Sequence, residues 1–209
     1  MKKYTKNEIN EVVAAFENHD IIAFPTDTVY GVGVKYGNLE DLARLKNAKH
    51  RPEEKPIPMM VSKVEQIEKI AHINDYTKAM IQKFMPGALT IVVQLKGDVS
   101  REFTNGKDTI AIRMPDDEFV LNVIDELNCP LLVSSANMSG EPTALTMEDA
   151  LQQLPHIDGI VEGNCKQLMA STIVDCTKNT FKILRPGPIT EEMLKNIWQS
   201  FDSFVGYLM

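Results

Sequence analysis

The sequence predicts an α/β protein built as three layers, a twisted mixed β-sheet flanked by helices. Helical periodicity alternates with short apolar runs along most of the chain, the pattern of strands and helices packed in layers. Two of those runs, Ile21–Phe24 and Leu131–Val133, stop abruptly in hydroxyl-bearing residues, as strands do where α/β sheets place ligands. Links in the middle and near the end join strand to strand without a helix, which makes the sheet mixed. No repeat, low-complexity run or linker interrupts the 209 residues, so a single domain over 1–209 is expected, with no second C-terminal domain.

In order, Thr5-Lys-Asn-Glu8 reads as a capping box opening a helix with Ile9, Val12, Val13 and Phe16 on one face. That helix ends near His19-Asp20, and the central strand begins at Ile21 and stops at Pro25, which cannot donate to a ladder. Asn38 caps a second helix that should present Leu39, Leu42 and Leu45 to the core, until Arg51-Pro52 breaks it. Ile57–Val61 reads as a short strand, and Ser62-Lys-Val-Glu65 as a second capping box leading Val64, Ile67 and Ile70. A helix over Asp75–Phe84 stops at Met85-Pro-Gly87, and Leu89–Leu95 and Thr109–Met114 are strands. Asp116–Leu127 is a helix, Leu131–Ser134 a strand, and Thr146-Met-Glu-Asp149 opens a helix through Leu154. Short strands follow at Gly159–Val161, Thr172–Asp175 and Phe181–Leu184, then a helix capped by Thr190 carrying Met193, Leu194, Ile197 and Trp198.

Composition excludes several classes. No apolar run approaches the ~20 residues of a membrane helix, and the basic start Met-Lys-Lys-Tyr-Thr-Lys has no apolar core behind it, so a cytoplasmic location is expected. Cys129, Cys165 and Cys176, like the four histidines, lack ligand spacing, so any metal is expected to arrive with a substrate. A net charge of −7 argues against a protein whose main task is gripping nucleic acid. Within that acidic chain Lys46, Lys49, Arg51 and Lys55 cluster, a local spot suited to a small polyanion.

Familiar nucleotide signatures fail. There is no Gly-x-x-x-x-Gly-Lys-Ser/Thr loop, Gly31-Val-Gly33-Val-Lys-Tyr-Gly37 has its third glycine one position late, and no Gly-x-Ser-x-Gly elbow surrounds Ser134 or Ser135. Lys49 and Arg51, two apart in an extended proline-rich loop, either embrace a polyphosphate or form a solvated charged loop with Glu53 and Glu54. Ser135 and Asn137 either bond phosphate or ribose, or close a turn with Ser139-Gly140. Arg113 is either an ion-pair anchor or a carboxylate clamp, and Arg185 before Pro186-Gly187 poses the same question.

Taken together, seven ordered segments resemble the YrdC-like threonylcarbamoyl-AMP synthase family. They are Pro25–Gly33, Lys49-His-Arg-Pro52, Met85–Thr90, Ile112-Arg-Met-Pro115, Ser134–Gly140, Ser171–Asp175 and Leu184-Arg-Pro-Gly187. The resemblance implies a nucleotidyltransferase that makes threonylcarbamoyl-AMP and pyrophosphate from L-threonine, bicarbonate and ATP, with Mg2+ bridging the phosphates. It implies a product handed to a separate transferase that modifies tRNA. By motif, Lys49, Arg51, Lys55, Thr109, Ser135, Asn137, Thr143 and Arg185 would meet ATP, with Lys49, Arg51, Ser135 and Asn137 the catalytic set. Thr28, Met60, Arg113, Val133 and Ser171 would meet threonine. Some relatives carry asparagine where Lys55 stands and histidine where Met60 stands, and Met60 offers threonine no polar contact. Longer relatives add a linker and a second domain after the Arg-Pro-Gly segment. Two rival readings are a module of the same fold that binds double-stranded RNA or tRNA without chemistry, and a relative with a different small-molecule reaction.

Overall fold

The computed structural model describes residues 1–197. Its first half contains β1 (Lys2–Tyr4), α1 (Ile9–Glu17), β2 (Ile22–Phe24), β3 (Gly31–Lys35), α2 (Leu39–Ala48), β4 (Met59–Met60), α3 (Val64–Ile70) and β5 (Ala71–His72). There follow α4 (Asp75–Phe84), β6 (Leu89–Leu95), a 3₁₀ turn (Arg101–Thr104), β7 (Thr109–Arg113), α5 (Glu118–Glu126) and β8 (Leu131–Ser135). The last elements are α6 (Met147–Gln153), β9 (Gly159–Val161), β10 (Thr172–Asp175) and β11 (Lys182–Arg185), after which residues 191–197 are helical. Trp198 lies outside the described residues. Among these, no helix is long and apolar enough to cross a membrane.

All the strands belong to one mixed sheet, ordered β1-β9-β2-β3-β8-β4-β7-β6-β10-β11, with β5 beside β6. Alternation along each strand sorts side chains onto two faces. Ile22, Phe24, Leu131, Val133 and Val161 share one face and pack against Val12 and Phe16 of α1 and Phe119, Val123 and Ile124 of α5. Ala23, Val32, Val34, Leu132, Ile91 and Ile112 share the other, beneath α2, α3 and α4 through Leu45, Ile67 and Met80. Helices thus cover both faces, and burying a side chain such as Phe16 or Phe119 stabilises the layer by about 1.5–3 kcal/mol.

The cover is incomplete on one side. The apolar cluster under α1 and α5 takes in no residue of β6, β7 or β10. Register aligns Thr90 with Arg113, Arg113 with Met60, and Ile173 with Thr90 on that same bare stretch. A shallow trough therefore opens beside α1 and α5, floored by alternate residues of the sheet.

Several local expectations give way to tertiary partners. Strands β1 and β5 were not anticipated; each is two or three residues long and exists through pairing with β9 or β6. The strand expected over Ile57–Val61 contracts to β4, although Ile57 and Val61 stay buried. Thr5–Glu8 forms half a capping box: Glu8 accepts from the Thr5 N–H at 2.7 Å, but no side chain caps the N-terminus of α1. At Ser62 the partner is Gln66, not Glu65, because Gln66 Oε1 accepts from the Ser62 N–H at 2.9 Å. Leu39 is 40% exposed instead of facing the core, since Asn38 caps α2 one turn before its buried stripe of Leu42 and Leu45 begins.

Gly33 shows how tightly β3 and β8 are pressed together. A Cβ there would lie 2.6 Å from the Leu132 carbonyl oxygen and 2.8 Å from Val133 Cγ2. Gly33→Ala is therefore expected to cost about 1–3 kcal/mol, a fall of roughly 2–10 °C in Tm. Thermal unfolding checks it, and an unchanged Tm would mean that the two strands can part without loss.

Candidate active site

The site begins where Pro25 ends β2. Thr26 Oγ1 donates to the Val29 carbonyl at 2.8 Å and accepts from the N–H groups of Thr28 at 3.1 Å and Val29 at 3.3 Å, closing a tight turn. That turn aims Asp27 and Thr28 at the end of β7. There Arg113, 7% exposed, donates from Nη2 to Asp27 Oδ1 at 2.5 Å, from Nη1 to Thr28 Oγ1 at 2.6 Å and from Nε to the Gly87 carbonyl at 3.1 Å. Burial pushes the Arg113 pKa down and the Asp27 charge opposes the shift. Arg113 is thus an ion-pair anchor that also lines a cavity.

Arg185 reaches the same trough by a backbone device. Val174 pairs with Ile183 but Ile173 pairs with Arg185, so Leu184 is an extra residue in β11. The bulge turns Arg185 onto the site face while Ile183 still packs on the opposite core. Its Nε and Nη2 donate to the Ser171 carbonyl at 3.1 and 2.8 Å, and Nη2 reaches Ser171 Oγ at 3.1 Å. Ser171 Oγ is in turn 2.7 Å from Thr90 Oγ1. Gly187 permits this fold-back, since a Cβ there would lie 2.5 Å from the Thr172 nitrogen.

Between these groups lies a cavity of about 170 Å³, lined by Thr28, Met60, Thr90, Arg113, Val133, Ser135, Ser171, Arg51 and Arg185 among others. Arg51 is held by its own loop, with Nε donating to the Lys55 carbonyl at 3.2 Å and Nη2 to the Pro56 carbonyl at 2.8 Å. Three guanidiniums therefore surround one small space, and among the described residues only Arg113 has a carboxylate partner. Burial lowers the pKa of Arg51 and of Arg185, and the Arg113 charge lowers Arg185 further. An anion placed among them would relieve that mutual repulsion. Among the described residues no three His, Cys, Asp or Glu side chains gather closely enough to hold a metal ion.

The expected threonine set, Thr28, Met60, Arg113, Val133 and Ser171, comes together around this cavity, as do Arg51, Ser135 and Arg185 of the expected ATP set. The remaining five residues do not line it. Lys49 is 1% exposed, and its Nζ donates to the Ser135 and Asn137 carbonyls while its own carbonyl accepts from the Ser139 N–H at 2.9 Å. It staples the turn after β8. Asn137 ties the same turn, its Nδ2 donating to the Met138 and Glu141 carbonyls at 2.8 Å each. Lys55 is exposed on its loop and Thr143 is half-buried beyond the turn. Thr109 starts β7, about 14 Å from Arg113 at ~3.4 Å per residue. Among the residues that went unassigned in the sequence are Asp27, which pairs with Arg113, and Thr90, which bonds Ser171. Thr90 had a signal, a hydroxyl inside the apolar run Leu89–Leu95.

Comparison with known proteins places the chain in a family. Residues 14–187 match the Sua5_yciO_yrdC family, described as "Telomere recombination". The chain belongs to the Sua5/YciO/YrdC family. A Bacillus subtilis family member named threonylcarbamoyl-AMP synthase is 34% identical over 91% of this chain and 56% of that protein. A Mycobacterium leprae relative is 35% identical over 87% of this chain and 84% of its own length. Sua5 of P. abyssi, solved in complex with L-threonine, superposes with a TM-score of 0.88 at 29% identity, covering 94% of this chain and 60% of that one. The chain thus spans a little over half of the Bacillus and P. abyssi proteins. Escherichia coli YciO shares the Sua5/YciO/YrdC fold, with a TM-score of 0.79 at 21% identity over 90% of this chain and 94% of that one.

Lys49 yields a pH test. Burial, reinforced by the Arg51 charge, pushes its pKa down to about 7 from 10.5. Between those values the unfolded chain binds the proton and the folded chain does not, so this group makes stability rise with pH from about 7 upward. Lys49→Met removes that slope and leaves two carbonyls without their donor, at a cost of about 1–3 kcal/mol. Unfolding of both proteins at pH 6, 7.5 and 9 should show the wild-type advantage growing with pH. A constant difference would put the amine in an ordinary solvated setting.

Proposed function

We propose that the chain is a threonylcarbamoyl-AMP synthase, a nucleotidyltransferase that joins L-threonine, bicarbonate and ATP and releases pyrophosphate. The observation that carries this reading is the cavity itself: five residues expected to meet threonine line one space whose rim holds two guanidiniums that have no carboxylate partner among the described residues. The names of the relatives and the L-threonine complex of P. abyssi Sua5 support it. At about 170 Å³ the cavity is smaller than the ~300–1,000 Å³ of typical drug-sized pockets. It suits an amino acid, with the nucleotide on the open side near Ser135, Arg51 and Arg185.

The chemistry follows from that division. The threonine amine condenses with bicarbonate, losing water, to give a carbamate. A carbamate oxygen then attacks the α-phosphorus as the bond to the pyrophosphate oxygen breaks. Carbamates are weak nucleophiles that decompose in water, so the site must align, shield and neutralise more than it must supply a strong base. Arg113 would hold the threonine carboxylate, Thr90 and Ser171 its polar end, and Met60 and Val133 would wall it off from water. Arg51 and Arg185 would meet the charge growing on the leaving pyrophosphate. Magnesium would enter with the nucleotide, and Lys49 and Asn137 would serve by fixing the turn that carries Ser135. The labile product would pass to a transferase acting on tRNA. The −7 net charge disfavours the reading as an RNA-binding module.

The direct test is incubation with ATP, bicarbonate and L-threonine, which should yield pyrophosphate and threonylcarbamoyl-AMP only when all three are present. Pyrophosphate release that ignores threonine would exclude the reading. Arg113→Lys keeps the charge but loses the planar fork, so the KM for L-threonine should rise at least about tenfold with the KM for ATP little changed. Arg51→Ala should cut turnover on the order of a hundredfold while Tm holds steady. Near-wild-type turnover would remove Arg51 from the phosphate grip.

A further inference from the structure

The Asp27 carboxylate has no role in the mechanism above, yet it is placed with unusual constraint. It is 1% exposed and stands behind the cavity wall, not in it. Oδ1 accepts from Arg113, whereas Oδ2 is buried with no partner among the described residues. Arginine and carboxylate frequently meet fork to fork, using both oxygens. Here one oxygen is left out.

The donor count explains why that matters. A guanidinium has five N–H groups; Nε is taken by Gly87, one Nη1 hydrogen by Thr28 and one Nη2 hydrogen by Asp27. One N–H remains on each Nη, and Arg113 lines the cavity. A second Asp27 contact would consume one of the two. Gly87 and the Thr26–Thr28 turn approach from different parts of the chain, so the plane of the guanidinium is fixed as well as its position.

We propose that Asp27 is a positioning residue: by pairing with Arg113 through a single oxygen, it holds that guanidinium as a two-pronged receptor for the carboxylate of the amino-acid substrate. This rests on the synthase reading. Asp27 would thereby set selectivity for a free carboxylate without touching the substrate. The substrate class is an α-amino acid with its carboxylate unmodified, in preference to the corresponding amino alcohol or amide.

The experiment compares L-threonine with L-threoninol, which keeps the amine and hydroxyl but lacks the carboxylate. Pyrophosphate release by the full chain should favour L-threonine by at least about a hundredfold in kcat/KM, as expected where a site built for a polar group rejects its absence. Asp27→Asn is isosteric and keeps one acceptor but loses the charge. Asp27→Glu keeps the charge and displaces it by one methylene. In both, the preference should shrink at least tenfold through a higher KM for L-threonine, with the KM for ATP within about threefold of wild type. A lowered Tm with the preference unchanged in either folded variant would make Asp27 a structural counter-ion and overturn the proposal alone. Wild-type protein that releases no pyrophosphate with L-threonine would overturn the synthase reading and the proposal together.

Discussion

A guanidinium withdrawn almost wholly from water needs an opposite charge beside it, and Arg113 finds one in Asp27, 86 residues earlier in the chain. Desolvation disfavours the cation, and the neighbouring carboxylate and the hydrogen bonds that Arg113 donates to Asp27, Thr28 and Gly87 offset that. Breaking such a pair from one side costs about 3–5 kcal/mol, because the survivor is left buried and unpaired. The contact therefore does more than decorate the cavity. It fastens the turn after β2 to the end of β7, across strands that are not neighbours in the sheet. The floor of the trough and its polar wall are set by one interaction.

The electrostatics of the site run against those of the protein. The chain carries a net charge of −7, yet the trough gathers three guanidiniums with a single acid among them. A small anion gains from a concentrated field of this kind, whereas a long polyanion would meet the acidic surface around it. Bare sheet at this point is what makes the concentration possible, since α1 and α5 stop short of β6, β7 and β10.

Much of this was legible in the residues, and the exceptions have physical causes. Helix α4 and strand β6 have the bounds the sequence suggests, because Asn74 caps the one and Met85-Pro-Gly87 separates it from the other. The Thr146–Asp149 capping box forms in full, while Ser62–Glu65 loses to Gln66, a competition between two acceptors that spacing alone cannot rank. Strands β1 and β5 carry no alternation to read; their partners make them strands. In the site, the motifs held the five residues of the expected threonine set and three of the expected ATP set that line the cavity, while the other five of the ATP set lie elsewhere. Motif order could not anticipate that Lys49 would lie beneath the turn, since Lys-x-Arg spacing says nothing of depth. Asp27 drew no assignment because its partner is remote in sequence.

Among the described residues strand β11 pairs with β10 alone, and it carries its extra residue at Leu184. Parity in a strand depends on how many residues separate two positions, whatever they are. A chain one residue shorter between Phe181 and Arg185 could keep every ladder bond and every apolar contact of Ile183, yet turn the guanidinium toward the helix-covered side. Here a gap in an alignment carries as much meaning as a substitution. Relatives that differ by a single insertion or deletion in this hairpin would differ in active-site charge even where each motif residue is retained.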